Sequence, residues 1–216
     1  MKLYTYWRSL ATLRVRIAMN LKGLSADQVI VDLAAGHQRQ PEFHAVNPQM
    51  VVPALVLDDG GPILFQSMAI LEYLEETHPN PSLMPRDPRG RARVRGLSQI
   101  TVADTHPLVV PRVREYILKD LKLDEPTLAA WIKHWTTAGM KAVEENLAGN
   151  PATGVYCHGD SVTLADVCTV AQALGYQLFG NDLAQFPTVK RIVDTCMTQQ
   201  AFASAHPLKQ PDAPKK

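Results

Sequence analysis

The chain of 216 residues is 46% apolar, enough for one large core or two smaller ones, and its 22 Lys and Arg are matched by 21 Asp and Glu. A formal charge of +1 excludes a global field that would hold nucleic acid or an anionic membrane surface, so any recognition of charge has to be local. Met1 to Trp7 lack the apolar stretch of a secretory signal, no apolar run reaches transmembrane length, and Cys157, Cys168 and Cys196 fall in no zinc or redox spacing. The expectation is a cytoplasmic protein in a reducing compartment, without metal, disulfide or membrane segment.

Residues 2–7 read as a strand, and 10–22 as a helix with Leu10, Leu13, Ile17 and Leu21 on one face, ended by Gly23. The β-branched run "DQVIVDL" over 27–33 reads as a second strand, so the opening is a parallel βαβ unit followed by a polar segment. Pro53 opens an apolar strand over 54–57, and Gly60-Gly61 separates it from "PILFQ", the pattern of a hairpin. Ser67 then stands as the expected N-cap of a helix apolar at Met68, Ile70, Leu71 and Leu74. The Pro-rich stretch 78–90 reads as a linker.

Beyond it the periodicity is helical over 91–119, 125–148, 163–179 and 187–204, with Thr163 and Asp166 spaced as a capping box. The tail "KQPDAPKK" is expected to fray. The expected fold is α/β plus all-α: a unit of thioredoxin-like order over 1–80, a linker over 81–90 and an all-helical domain over 91–216. It carries no metal cluster, phosphate loop or GxSxG.

The segments "YWRS…RVRIAMNLKG" (6–23), "NPQMVVPAL" (47–55), "QSMAILEYLEE" (66–76), "ADTHPL" (103–108) and "TLADV" (163–167) together resemble the zeta class of cytosolic glutathione transferases, which includes maleylacetoacetate and maleylpyruvate isomerases. The resemblance implies a homodimer that uses glutathione, a cis bond before Pro53, and cis–trans isomerisation of a maleyl compound in the breakdown of aromatic compounds. The expected substrate is a small electrophile bearing carboxylate.

By position, the resemblance makes Ser9 the hydroxyl that stabilises the glutathione thiolate, with Arg8 and Arg14 adding positive potential. From its residues alone Ser9 reads as the N-cap of the first helix, and Thr12 is an alternative thiol partner. Val52 and Pro53 correspond to the edge that pairs with the cysteinyl amide. Gln66 and Ser67 correspond to the γ-glutamyl site, Gln38 to the glycyl end, and His106 to a further contact; a solvated loop and a bend before Pro107 are the plain readings of Gln38 and His106. Arg8 and Arg112 are the candidate substrate-carboxylate ligands, against a reading as surface ion pairs.

Two departures stand out. The family's usual "SSC" run reads Ser9-Leu10-Ala11, and an arginine that holds a substrate carboxylate is replaced by Leu178. The second leaves open a transferase or dehalogenase for less charged electrophiles, and a non-catalytic binding protein of the same fold is the third reading. The run Arg86, Arg89, Arg91, Arg93, Arg95 lacks interleaved aromatics and reads as a solvated helix start rather than a nucleic-acid site.

Overall fold

A computed structural model describes residues 1–215, and the chain divides into two compact units. The first comprises Met1–Ser82 together with the chain from Gln199 onward; the second is Leu83–Thr198.

In the first unit, β1 (Lys2–Thr5), β2 (Asp27–Ile30), β3 (Ala54–Val56) and β4 (Leu64–Phe65) form a sheet in the order β2-β1-β3-β4. β1 pairs parallel with β2 and antiparallel with β3, and β3 pairs antiparallel with β4. It follows that β1, β2 and β4 run one way and β3 the other. The register aligns Tyr4, Ala54 and Phe65 in one row across the sheet. The C-terminal ends of β1 and β4 and the start of β3 therefore share one edge, within about 10 Å at the usual strand spacing.

Helix α1 (Leu10–Leu21) follows β1, and α3 (Ser67–Thr77) follows β4. Their apolar faces bury Leu13, Ile17, Ile70, Leu71 and Leu74 with Leu3 and Leu55 of the sheet. Each such side chain contributes about 1.5–3 kcal/mol. Lys22, buried at the end of α1, donates to Glu75 Oε2 at 2.8 Å and to the carbonyls of His78 at 2.6 Å and Pro81 at 3.0 Å, tying α1 to the C-terminus of α3. Each of its ammonium protons has an acceptor, which is what makes burial of the charge tolerable.

The sequence misjudged several features. The polar segment after β2 contains a short 3-10 turn at His37–Arg39 and α2 (Pro41–Val46), whose Phe43 packs with Val31 and Val52. Six residues are too few to display a helical period. Ser67 is not an N-cap: Gln66 holds that position at φ 67°, and Ser67 is already helical. Over 209–213 the tail does not fray, and Lys216 lies outside the described residues. Gln210 is buried and donates to the carbonyls of Ser204 and His206 at 3.0 Å, and Asp212 accepts from Trp7 N–H at 2.8 Å. Residues 199–215, expected in the helical domain, thus belong with the first unit, where Asn20 reaches Ala201 O at 2.9 Å.

The second unit contains α4 (Pro88–Gln99), α5 (Pro111–Glu115), α6 (Glu125–Leu147), α7 (Leu164–Leu178) and α8 (Pro187–Met197). The helix expected over 91–119 is interrupted by a π segment at Ile100–Thr105 and a 3-10 turn at His106–Val109, since Pro107 and Pro111 supply no N–H to a continuous ladder. The stretch 187–204 is likewise divided, with α9 (Gln200–Ala203) in the first unit. The expected start of α7 is present. Asp166 accepts from Thr163 N–H at 2.7 Å, from its hydroxyl at 2.8 Å and from Cys157 N–H at 2.7 Å. All three cysteines are buried and none is in a disulfide.

Candidate active site

The site in the first unit starts from the turn between β1 and α1. Ser9 N–H donates to Tyr6 O at 3.0 Å, and Ser9 caps α1 with extended backbone, φ −72° and ψ 114°. Its Oγ accepts from Thr12 N–H at 3.2 Å and from the Thr12 hydroxyl at 3.0 Å. A hydroxyl has two acceptor positions and one proton. With both acceptor positions filled from the helix side, the Ser9 proton is left to donate to another acceptor at the helix N-terminus. Capping and donation are therefore compatible roles for one side chain. Thr12, by contrast, is wholly buried with its hydroxyl engaged on Ser9, which counts against it as a direct partner of a ligand thiol.

Arg8 is half-buried and lies over the Trp7 ring at 6.0 Å. Tyr6, the nearest phenol along the turn, is held above its ordinary pKa, chiefly by burial and against the lowering effect of a hydrogen bond from Trp7. It stays protonated at neutral pH. Burial first, then the charge of Asp166, pushes the Cys157 and Cys196 thiols upward, which makes these two poor nucleophiles.

The second wall is the start of α3. Gln66 is exposed, and its Nε2 donates to Gln49 Oε1 at 2.8 Å. Ser67 is 3% exposed, and its Oγ accepts from Arg14 Nη1 at 3.3 Å. Arg14, on α1, is itself 1% exposed, so its positive charge lies against the first turn of α3. That turn also presents backbone N–H groups without helical partners. Such an arrangement of charge and N–H groups suits an anionic group.

Between these walls Val52-Pro53 is joined by a cis bond, and Val52 lies just beyond Ala54, where the ladder with β1 ends. Asn47 Nδ2 fixes the bend by donating to Val51 O at 2.7 Å. Gln38, in the 3-10 turn after β2, is buried rather than solvated, and its Oε1 has no hydrogen-bond partner among the described residues. An orphaned buried acceptor is destabilising by about 1–3 kcal/mol unless a ligand or water meets it.

Ser9, Val52, Pro53, Gln66 and Ser67 thus share one edge of the sheet because β1 and β4 end there and β3 begins there. The chain's own groups suit a flexible anionic ligand: a donor for sulfur, a strand-like backbone at Val52 and a cationic pocket at Ser67. His106 and Arg112 lie in the second unit, His106 half-buried at the head of its 3-10 turn and Arg112 exposed on α5. Leu178 is half-buried at the end of α7. Next to it, Phe179 is covered by the Arg114 guanidinium at 5.9 Å, a contact that the sequence reading missed.

Residues 1–76 match the family model for the glutathione S-transferase N-terminal domain. The whole chain is similar to a maleylacetoacetate isomerase of Pseudomonas aeruginosa, 44% identical over 99% of both chains. It is also similar to a maleylpyruvate isomerase of a Ralstonia species, 42% identical over 99% of this chain and all of that one. Among solved structures, a maleylacetoacetate isomerase of Methylobacterium extorquens AM1 with bound malonate and glutathione superposes with a TM-score of 0.97, at 46% identity over the full length of both.

Proposed function

As the chain belongs to the zeta-class glutathione transferases that comprise the maleylacetoacetate and maleylpyruvate isomerases, we propose that it catalyses the glutathione-dependent cis–trans isomerisation of a maleyl compound. The observation that carries this reading is the Ser9 hydroxyl at the head of α1, which accepts from the Thr12 N–H and hydroxyl and so keeps its own proton to donate.

Bound glutathione supplies a thiolate that adds reversibly to the conjugated double bond, which permits rotation about it. Ser9 holds the sulfur as its anion by donating a proton it never gives up, so no general base is needed beside it. The helix dipole and the guanidinium of Arg8 act in the same sense. Val52 fixes the cysteinyl amide through its backbone, Ser67 with Arg14 and Gln66 receives the γ-glutamyl end, and Gln38 meets a donor at the glycyl end. These contacts fit the groups present: a cationic pocket for a carboxylate and an unmatched buried acceptor for an amide N–H. Arg8 is the first ligand for the substrate carboxylate; the family resemblance adds Arg112 for that carboxylate and His106 for glutathione. Orientation by these donors, rather than acid–base chemistry, supplies most of the rate.

We also assign the protein to a homodimer in a reducing, cytoplasmic setting. Phe65 on edge strand β4 is 56% exposed and Met50 39% exposed, apolar side chains that a second copy would cover. Maleylacetoacetate or maleylpyruvate mixed with glutathione and protein should lose its enol absorbance far faster than in buffer; no turnover above buffer would sink the isomerase assignment. A second reading rests on Leu178. An apolar side chain where the family resemblance implies an arginine suits a substrate with one carboxylate or none, and turnover of haloacids instead of maleyl compounds would favour it.

A further inference from the structure

The tail, expected to be loose, ends in a contact with the turn that carries Ser9. Asp212 Oδ2 accepts from Trp7 N–H at 2.8 Å, two positions before the serine. The carbonyl of the same Trp7 accepts from Arg16 Nη2 at 3.2 Å, and Arg16 Nη1 donates to Thr5 Oγ1 at 2.9 Å. Trp7 is therefore held at its N–H and at its C=O, and the turn is closed by Ser9 N–H on Tyr6 O.

Arg16 is 5% exposed, and its burial pushes it down to about 10, against the charge of Asp212, which acts the other way. The charge of Asp212, from the far end of the sequence, offsets part of that burial without a hydrogen bond to Arg16, whose Nη1 and Nη2 donate to Thr5 and Trp7 instead. The segment leading to Asp212 is itself anchored. Pro207 and Gln210 are buried, and Gln210 donates to Ser204 O and His206 O. A side chain made only to cap the tail would not need to reach the Trp7 amide.

We infer that Asp212 is a positioning residue for the glutathione thiolate: by holding the Trp7 peptide it fixes the Tyr6–Ser9 turn and so the direction of the Ser9 hydroxyl. The inference rests on the functional reading of Ser9 given above. It adds a residue far along the sequence, from a tail that touches the turn rather than the ligand. A misplacement of about 1 Å in a catalytic donor is enough to cost up to a hundredfold in rate, so a strut of this kind is felt at the site.

The test compares the full chain with Asp212→Ala and Asp212→Asn. Amide hydrogen exchange at Trp7, measured without glutathione, should accelerate at least about tenfold in Asp212→Ala and stay near wild type in Asp212→Asn, which retains an acceptor. Glutathione affinity should fall about tenfold in Asp212→Ala, with a smaller thiolate absorbance at saturation, and recover in large part in Asp212→Asn. Unchanged Trp7 exchange in Asp212→Ala would overturn the strut. Faster exchange with wild-type affinity and thiolate absorbance would reduce Asp212 to a stabiliser of the tail and overturn its link to the site. Equal impairment of both variants would overturn the hydrogen-bond assignment. A wild-type protein that binds no glutathione would instead overturn the functional reading, while the exchange comparison would still decide whether the strut exists.

Discussion

Replacing Ser9 by Ala separates its two roles in one experiment. As an N-cap, Ser9 satisfies the Thr12 N–H, and losing such a cap destabilises a helix by about 1 kcal/mol. For a chain of this length that lowers the melting temperature by about 2–4 °C. As the proposed donor to a thiolate, it would make a charge-assisted hydrogen bond of about 1.5–3 kcal/mol. At about 1.4 kcal/mol per pKa unit, its loss should raise the bound thiol by about 1–2 units toward the free value of about 8.5. The α1 N-terminus remains and keeps part of the effect. At neutral pH kcat/KM should therefore fall about 10–100-fold, and the deficit should shrink as the pH is raised past the variant's thiol pKa. Ultraviolet thiolate absorbance of the glutathione complex, followed against pH beside the turnover profile, reads this directly. Intact thiolate absorbance and neutral-pH turnover would refute the role of Ser9. A deficit that persists unchanged at alkaline pH would show that the serine orients rather than ionises.

Leu178→Arg should raise kcat/KM on a dicarboxylate about tenfold and leave monocarboxylates unaffected, the scale of one charge-assisted contact; an unchanged substrate profile would refute the significance given to this departure. His206 is held below its ordinary value of 6.5 by burial, then by Lys209, and its Nδ1 accepts from Leu208 N–H at 3.2 Å. The folded protein binds that proton less readily than the unfolded chain, so the contribution is complete above about pH 6.5 and is lost on acidification below it. His206→Asn, which keeps an acceptor, should flatten the fall in melting temperature between about pH 7 and 5; a parallel decline in both proteins would refute the assignment. The buried thiols should resist a disulfide-exchange reagent in the native protein at mildly alkaline pH and react on unfolding, and rapid native labelling of Cys157 or Cys196 would contradict their placement.

The secondary structure that forms the site was legible because it depends on local rules. α1, α3 and α7 follow from apolar spacing, β3 and β4 from a Gly-Gly turn between apolar runs, and the break at Gly23 from its positive φ of 67°. The motifs around Ser9, Val52 and Gln66-Ser67 named the ligand half of the site through family resemblance. The local conformation at Ser67 was misjudged, because a serine before an apolar run gives the same pattern whether it stands at the cap or one residue inside. α2 was missed for want of length.

What the sequence could not contain was which distant segments meet. Gly139, in the middle of α6, reads only as a weak helix former. In the fold, a Cβ there would collide with the Thr105 side chain. Gln38 reads as loop polarity and is a buried acceptor. Asp212 sits in a Pro- and Lys-rich tail with no periodicity, yet it lies 205 residues from the amide it holds. Helix spacing, turns and caps are encoded within a few residues, so the elements could be read from the sequence, and the family resemblance pointed to Ser9 as the candidate sulfur ligand. Sheet order, and with it the shared edge of β1, β3 and β4, and the return of the tail to Trp7 arise from contacts between residues far apart in the chain. Only the tertiary structure decided them, because burial and hydrogen-bond satisfaction are properties of the whole fold rather than of any window of the sequence.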